Sequence, residues 1–436
     1  GSLAKITISD SEKPLKLTNG YYGSFAYSNA DKTVYVGRDI WRNENSSPFG
    51  GVTGVAFGDK VTTINSQLLQ NHTKLASITI GKGVNTIENN AFSNTGTDES
   101  VSEQVVSMGS GVTLIESSAF EGCSHLKSIT LPETLTNIDG YAFSGTGLTA
   151  VTIPVSVDSI GNRAFGSCGS LASIRISDSE KPLKLTNGYY GTFNYSDADK
   201  TVYVGRDIER NDNTTVFGGN ATSVEFGDNV TLINNRLFQS NKKLESIKIG
   251  SGVKTIGEYA FEDAGDNLNE GDEEGTKELT VTMGSNVALI DYAAFNSCAN
   301  LKSITLPETL TNIDGYAFSS TGLTAVTIPA SVDSIGERAF GSCGSLASIR
   351  INDSEKPLKL TNGYYGTFAY SDADKTVYVG RDIERSENST VFGGNATSVE
   401  FGDNVTLINN RLFQSNRKLE SIKIGSGVKT IGEYAF

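Results

Sequence analysis

Histidine, methionine and tryptophan are nearly missing, with two, two and one among 436 residues. His72 and His125 do not recur in the repeated copies of their surroundings, where Lys242, Arg417, Ala299 and Asn300 stand instead. A Ser-His-Asp site would need one of them, and nothing nearby marks either as oriented; both are expected in solvent, in the linkers before strands. The four cysteines are spread along the chain, whereas zinc needs Cys and His together. No G-x-x-x-x-G-K-[ST] phosphate loop occurs, and Gly250-Ser-Gly252-Val-Lys254 recurs at Gly425 as a turn would. No apolar run approaches the roughly 18 residues of a membrane span. Basic charge is also short: 36 Lys and Arg face 50 Asp and Glu, a net charge of −14, which argues against a nucleic-acid partner. Carboxylate pairs suited to glycoside hydrolysis are too widespread to single out. No turn departs from its siblings with catalytic residue types, so a non-enzymatic chain without cofactor or metal is expected.

What the chain does have is repetition. TVYVGRDI occurs at Thr33–Ile40, Thr201–Ile208 and Thr376–Ile383, spaced by 168 and 175 residues. Leu171–Phe261 returns almost verbatim as Leu346–Phe436, and a looser copy begins at Leu3. This divides the chain into long units 3–170, 171–345 and a truncated 346–436. Inside each lies a shorter repeat with an Ala-Phe landmark. In the second unit the landmarks are Phe193, Phe217, Phe238, Phe261, Phe295, Phe318 and Phe340. The whole chain then holds about 18 turns of roughly 23 residues, a leucine-rich-repeat period. The clearest turn runs Cys123, Leu126, Ile129, Leu131, Pro132, Leu135, Ile138, Ala142, Phe143. Ile129-Thr130-Leu131 alternates as a strand does, whereas Ile138 to Phe143 steps by four and five, as a helical or irregular segment does. One turn cannot bury its apolar side, but stacked turns give each Leu, Ile and Phe a like neighbour. A hydrophobic content of 37% suffices for such a core.

The complete motif at Leu126–Phe143, Leu148–Phe165, Leu301–Phe318 and Leu323–Phe340 resembles the BspA-like leucine-rich repeats of bacterial and protozoan surface proteins. The resemblance covers essentially the whole chain and is weakest around Tyr189–Phe217 and its counterparts, which are rich in Tyr, Asn and Asp. It implies a β-rich repeat solenoid over 1–436, right-handed, with a parallel sheet on one face and short helical or irregular segments on the other. Eighteen strands at about 4.8 Å would make a curved rod of roughly 85 Å. It also implies an extracellular or cell-surface location and binding of host or matrix protein, fibronectin and fibrinogen being suggestions at the family level. Gly1-Ser2 reads as a cloning scar and the chain as an excised fragment, so the missing signal and anchor are uninformative.

Several features take a plain reading. The acidic insert Glu262–Glu278 lacks the D-x-D-x-D-G calcium pattern with its distal Glu and is expected to be a solvated excursion. Asp197 and Asp199, recurring as Asp372 and Asp374, lack the same elements. Cys123, Cys168, Cys298 and Cys343 each lie three residues beyond an Ala-Phe landmark. Two turns of stacking, roughly 10 Å, exceed disulfide reach, so four buried free thiols are expected. The Asn-x-Ser/Thr sequons matter only in a glycosylating host.

A contact surface can be read from strand parity. The outward row runs Thr7, Tyr35, Ala56, Thr79, Ser107, Thr130, Thr152, then Arg175, Tyr203, Glu225, Lys248, then Thr282, Thr305, Thr327, and ends Arg350, Tyr378, Glu400, Lys423. Glu225 beside Lys248 would steady the sheet by a few tenths of a kcal/mol to about 1. Tyrosines cluster beside it at Tyr189, Tyr190 and Tyr195, again at Tyr364, Tyr365 and Tyr370, and at Tyr21, Tyr22 and Tyr27. Either they fill a wider core or they form a recognition patch, which suits tyrosine's large contact area and polar tip. Trp41 stands where other copies have Glu209 and Glu384. Two functions fit: a recognition or adhesion module gaining avidity from repetition, with a host or matrix protein or a glycan as partner, or a spacer rod associating end to end.

Overall fold

The computed structural model describes residues 3–17, 24–25, 30–42, 47–186, 191–210, 215–265, 277–361, 366–385 and 390–436. They fall into two compact units, Gly1–Asn220 and Ala221–Phe436. Each is a solenoid of parallel strands and stacked turns, with no helix among the described residues.

Each turn has three sides. On the first, strands of three to six residues pair in parallel, as Lys5–Ile8 with Lys32–Val36 and Ser173–Ile176 with Lys200–Val204. Their alternation follows the two-residue period: Val34 and Val36 are buried while Thr33 faces solvent. On the second side lie shorter strands, nine per unit among the described residues, from Leu15–Leu17 to Ile208–Arg210 and from Leu232–Ile233 to Thr430–Ile431. Among the described residues sixteen turns carry a strand on the first side, and two more positions carry only the shorter second-side strand.

Those two are Ser128–Leu131 and Ser303–Leu306, which join no sheet. Proline explains it. In several other turns the residue after a strand donates its N–H to the last carbonyl of the preceding strand, as Gly37 to Ile8, Gly205 to Ile176 and Ser177 to Ile153. After Ser128–Leu131 comes Pro132, and after the next strand comes Pro154; Pro307 and Pro329 repeat the arrangement. Proline has no N–H to donate, so the closing rung is lost on both sides of the segment. Clefts of about 330 and 320 Å³ lie between each unpaired segment and its neighbour.

The third side carries the Ala-Phe pairs, and the chain takes the irregular form there rather than the helical one. N–H groups alternate in direction. Those of Tyr141, Phe143 and Gly145 reach carbonyls of the next turn, at Asn162, Ala164 and Gly166. Those of Ala142 and Ser144 bond three residues back, to Asp139 and Tyr141. A helix would keep every N–H within its own turn and leave the stack unpaired on this side. The alternation needs left-handed residues at Tyr141 (φ 60°) and Gly145 (φ 68°), and the same pair recurs along both units.

The landmark phenylalanines form the core's spine. Phe92, Phe120, Phe143, Phe165 and Phe193 stack with centroids 5.1 to 5.3 Å apart. In the second unit Phe261, Phe295, Phe318, Phe340 and Phe368 repeat this at 5.2 to 5.4 Å. All four thiols are free and buried. Each donates to the carbonyl of a preceding landmark: Cys123 to Phe92, Cys168 to Phe143, Cys298 to Phe261 and Cys343 to Phe318, at 3.1 to 3.2 Å. Neither histidine is the solvated linker residue expected. His72 is half-buried, with its ring nitrogens 2.9 Å from the carbonyls of Leu69 and Phe49, and His125 is half-buried too.

Candidate ligand surface

The first-side strands carry the outward row in register. Tyr35 pairs with Thr7 and Ala56, and Arg175 with Thr152 and Tyr203. In the second unit Thr327, Arg350, Tyr378, Glu400 and Lys423 stand side by side on five consecutive strands. Glu225 aligns with Lys248.

These groups are tied to one another. The Arg175 guanidinium lies 3.9 Å from the centre of the Tyr203 ring and 3.2 Å from Asp178, and the Tyr203 hydroxyl donates to Asp178 at 2.5 Å. The later copy repeats the set: Arg350 over Tyr378 at 4.0 Å, Arg350 to Asp353 at 3.7 Å, and Tyr378 to Asp353 at 2.7 Å. The first copy keeps only Tyr35 donating to Asp10, at 2.8 Å, because Thr7 replaces the arginine. Burial, then the bond to the carboxylate, raises the phenol pKa of Tyr203 and Tyr378. At Tyr35 the bond to Asp10 is the larger cause. Lys248 bonds Glu225 at 2.5 Å and Lys423 bonds Glu400 at 2.6 Å. Ion pairs as exposed as these add little to stability, so they hold the row in place more than they stabilise the fold. Beside Tyr35, Gly54 and Ala56 leave a cleft of about 250 Å³.

Trp41 does not join this row. It lies on the second-side strand Ile40–Arg42, 59% exposed, with the Lys16 amine 5.2 Å above its ring. In the next copy the same positions hold the ion pair Lys184–Glu209 at 4.0 Å. Tyr189, Tyr190, Tyr364, Tyr365, Tyr21, Tyr22 and Tyr27 lie outside the described residues, as does most of the acidic insert.

Strand reasoning missed two sets of residues. The first lies in the duplicated phrase and at the lysine just before it. Lys200 and Lys375 are almost fully buried, donating to the carbonyls of Phe217 at 2.9 Å and Phe392 at 3.0 Å, and Lys32 bonds the carbonyl of Gly50. Burial lowers all three amines, Lys200 to about 8. Arg206, also buried, reaches back to the carbonyls of Pro154 at 2.8 Å and Val155 at 3.1 Å; Arg381 does the same at Pro329 and Ala330. The second set is the left-handed position just before Ala-Phe. From Tyr141 onward it holds mainly Tyr and Arg, which form a surface ladder of rings and guanidinium groups. The left-handed conformation costs such side chains roughly 1–2 kcal/mol each. The residue preceding each landmark was the available signal.

Among the described residues no group of three or more His, Cys, Asp and Glu is placed to hold a metal ion, and no helix is long and apolar enough to cross a membrane. No curated protein matches the chain in sequence. Solved structures do. A leucine-rich repeat protein from Bacteroides ovatus is 20% identical, covering 86% of this chain and 79% of its own, with a TM-score of 0.31. A leucine-rich cell surface protein from Faecalibacterium prausnitzii is 24% identical, covering 81% and 89%, at 0.30. The pneumococcal vaccine antigen PcpA is 14% identical, covering 92% and 86%, at 0.35. The BspA type leucine rich repeat region matches residues 49–104, 98–213, 211–270, 274–388 and 355–436. With well over half its length matched, and with the stacked turns that such repeats imply, the chain belongs to the BspA-type leucine-rich repeat family.

Proposed function

We propose that the protein is a non-enzymatic recognition module of a cell surface, binding a host or matrix protein through its first-side strand row. The observation that carries this reading is the in-register block Arg350, Tyr378, Glu400 and Lys423. Its guanidinium, phenol, carboxylate and amine sit on adjacent strands of a rigid sheet, about 4.8 Å apart. Internal ties to Asp353 pre-order the side chains, so less conformational entropy is lost on contact. Arg175, Tyr203 and Asp178 offer the same face in the first unit, and two copies on one chain give avidity. Family membership supports the surface location.

The test is binding of the full chain to immobilised fibronectin, fibrinogen and other matrix proteins. Saturable binding is expected to at least one, weakened about tenfold or more by Tyr203→Ala with Tyr378→Ala. Absence of binding across the panel, or binding that the double variant leaves unchanged, overturns the reading.

A further inference from the structure

The surface ladder on the third side is a different face from the strand row. In the second unit its members run Arg236, Tyr259, Tyr292, Tyr316, Arg338, Tyr370. Arg236 lies 4.3 Å from the Tyr259 ring centre; Tyr259 to Tyr292 and Tyr292 to Tyr316 are 5.5 Å; Arg338 lies 5.6 Å from Tyr316 and 5.0 Å from Tyr370. The first unit carries a shorter version, Tyr141, Arg163 and Tyr195. The rings are accessible: Tyr292 is 36% exposed, Tyr370 55% and Tyr195 54%.

The fold does not require these side chains. Arg236, Tyr259, Tyr316 and Arg338, each just before a landmark pair, hold φ values of 51° to 59°, and Tyr370, two residues beyond Phe368, holds 63°, a region unfavourable to bulky residues and tolerated by asparagine. In earlier turns the position before the landmark pair holds Gln67, Asn90 and Ser118 at φ 55° to 57°, and the position matching Tyr370 holds Asn94 at φ 55°. Those turns stack on their neighbours with equivalent hydrogen bonds: Asn90 donates to Ser117 as Tyr141 does to Asn162. Large π-bearing and cationic groups have therefore been placed where small polar ones satisfy the backbone.

We propose that this ladder binds a linear, neutral polysaccharide along the stacking direction. Each turn offers a ring or guanidinium at a pitch of about 4.8 Å, comparable with the advance of an extended chain per sugar. The C–H face of a pyranose packs on an aromatic ring, while its hydroxyls seek polar groups at the edge. Those groups are present: Glu258, Asp291 and Glu337 each immediately precede a ladder residue. Their carboxylates accept from hydroxyls and repel a polyanion. The ladder is a rail, and the surface clefts described above are lined by other residues; a protein partner would instead anchor a buried aromatic in a pocket. The site rests on the reading of the chain as a recognition module but uses none of its strand-row residues.

The experiment is affinity electrophoresis of the full chain through gels containing hydroxyethyl cellulose, laminarin, dextran, galactomannan or heparin. Retardation by at least one neutral polymer is expected, with affinity at least tenfold weaker in Tyr316→Asn with Tyr370→Asn. Asparagine suits the left-handed backbone, as Asn90 shows, and an unchanged thermal transition confirms that the variant folds. Tyr378→Ala is expected to leave retardation unaltered, which separates this site from the strand row. Migration unaffected by every neutral polymer, retardation by heparin alone, or equal retardation of the double variant overturns the proposal. Loss on Tyr378→Ala alone also overturns it, by placing binding on the other face.

Discussion

Lys200 shows what a single residue contributes to this fold. The phrase KTVYV places Lys200, Val202 and Val204 inward and Thr201 outward. The amine ends on the Phe217 carbonyl, and burial lowers its pKa from 10.5 to about 8. The unfolded chain therefore holds this proton to higher pH than the folded one, so stability rises as pH climbs from about 8 toward 10.5 and falls back as pH drops through 8. Between pH 7 and 9.5 wild type is expected to gain about 2 kcal/mol relative to Lys200→Met. Denaturant melts of both proteins at the two pH values check this; a constant difference would mean the amine is well solvated. The outward side chains were legible because parity fixes them. The same parity places Lys200 and Lys375 inside, but a lysine opening a strand reads as a solvated end unless the buried carbonyl is known. That carbonyl comes from a residue 17 positions away. Arg206 is hidden for the same reason, since its acceptors are 51 and 52 residues earlier.

At the scale of the element, the strand column on the first side is interrupted where proline follows two consecutive strands. Ser128–Leu131 and Ser303–Leu306 form no ladder, although their sequence, S-I-T-L, has the same period as S-I-R-I. Amides without a ladder partner exchange rapidly even when neighbouring side chains are buried. Hydrogen-exchange mass spectrometry is expected to find these two segments far less protected than Ser173–Ile176 and Ser348–Ile351. Equal protection would show that the rungs form in solution despite the prolines. Pro132 was readable as punctuation, but the break needs Pro154 as well, on a turn that is adjacent only after stacking. The shorter strands went unseen because two residues cannot display a period. The four- and five-residue steps toward Ala-Phe suggested a helix or an irregular turn, and the left-handed residues decide between them.

Across the whole molecule, each landmark phenylalanine touches only the turns on either side, so damage should stay local. Phe143 stacks on Phe120 and Phe165 at 5.3 and 5.2 Å, and its carbonyl accepts the Cys168 thiol. Phe→Ala in such a core costs about 3–5 kcal/mol. The cysteines report where that loss is felt, because all four are buried, and burial pushes the Cys123, Cys168 and Cys343 thiols up, Cys123 to about 11, which makes buried thiols unreactive in the folded state. Native protein is expected to react with thiol reagents negligibly, and denatured protein to show four thiols without reductant. In Phe143→Ala, labelling followed by peptide mapping should find Cys123 and Cys168 modified much faster. Cys298 and Cys343, in the other compact unit, should keep their wild-type rates. The landmark spacing alone foretells this pattern, since it predicts nearest-neighbour stacking. The thiol acceptors were not foretold, because they depend on how each turn offsets against the last. If all four cysteines accelerate together, the chain opens as one cooperative body and the nearest-neighbour account of its stability fails.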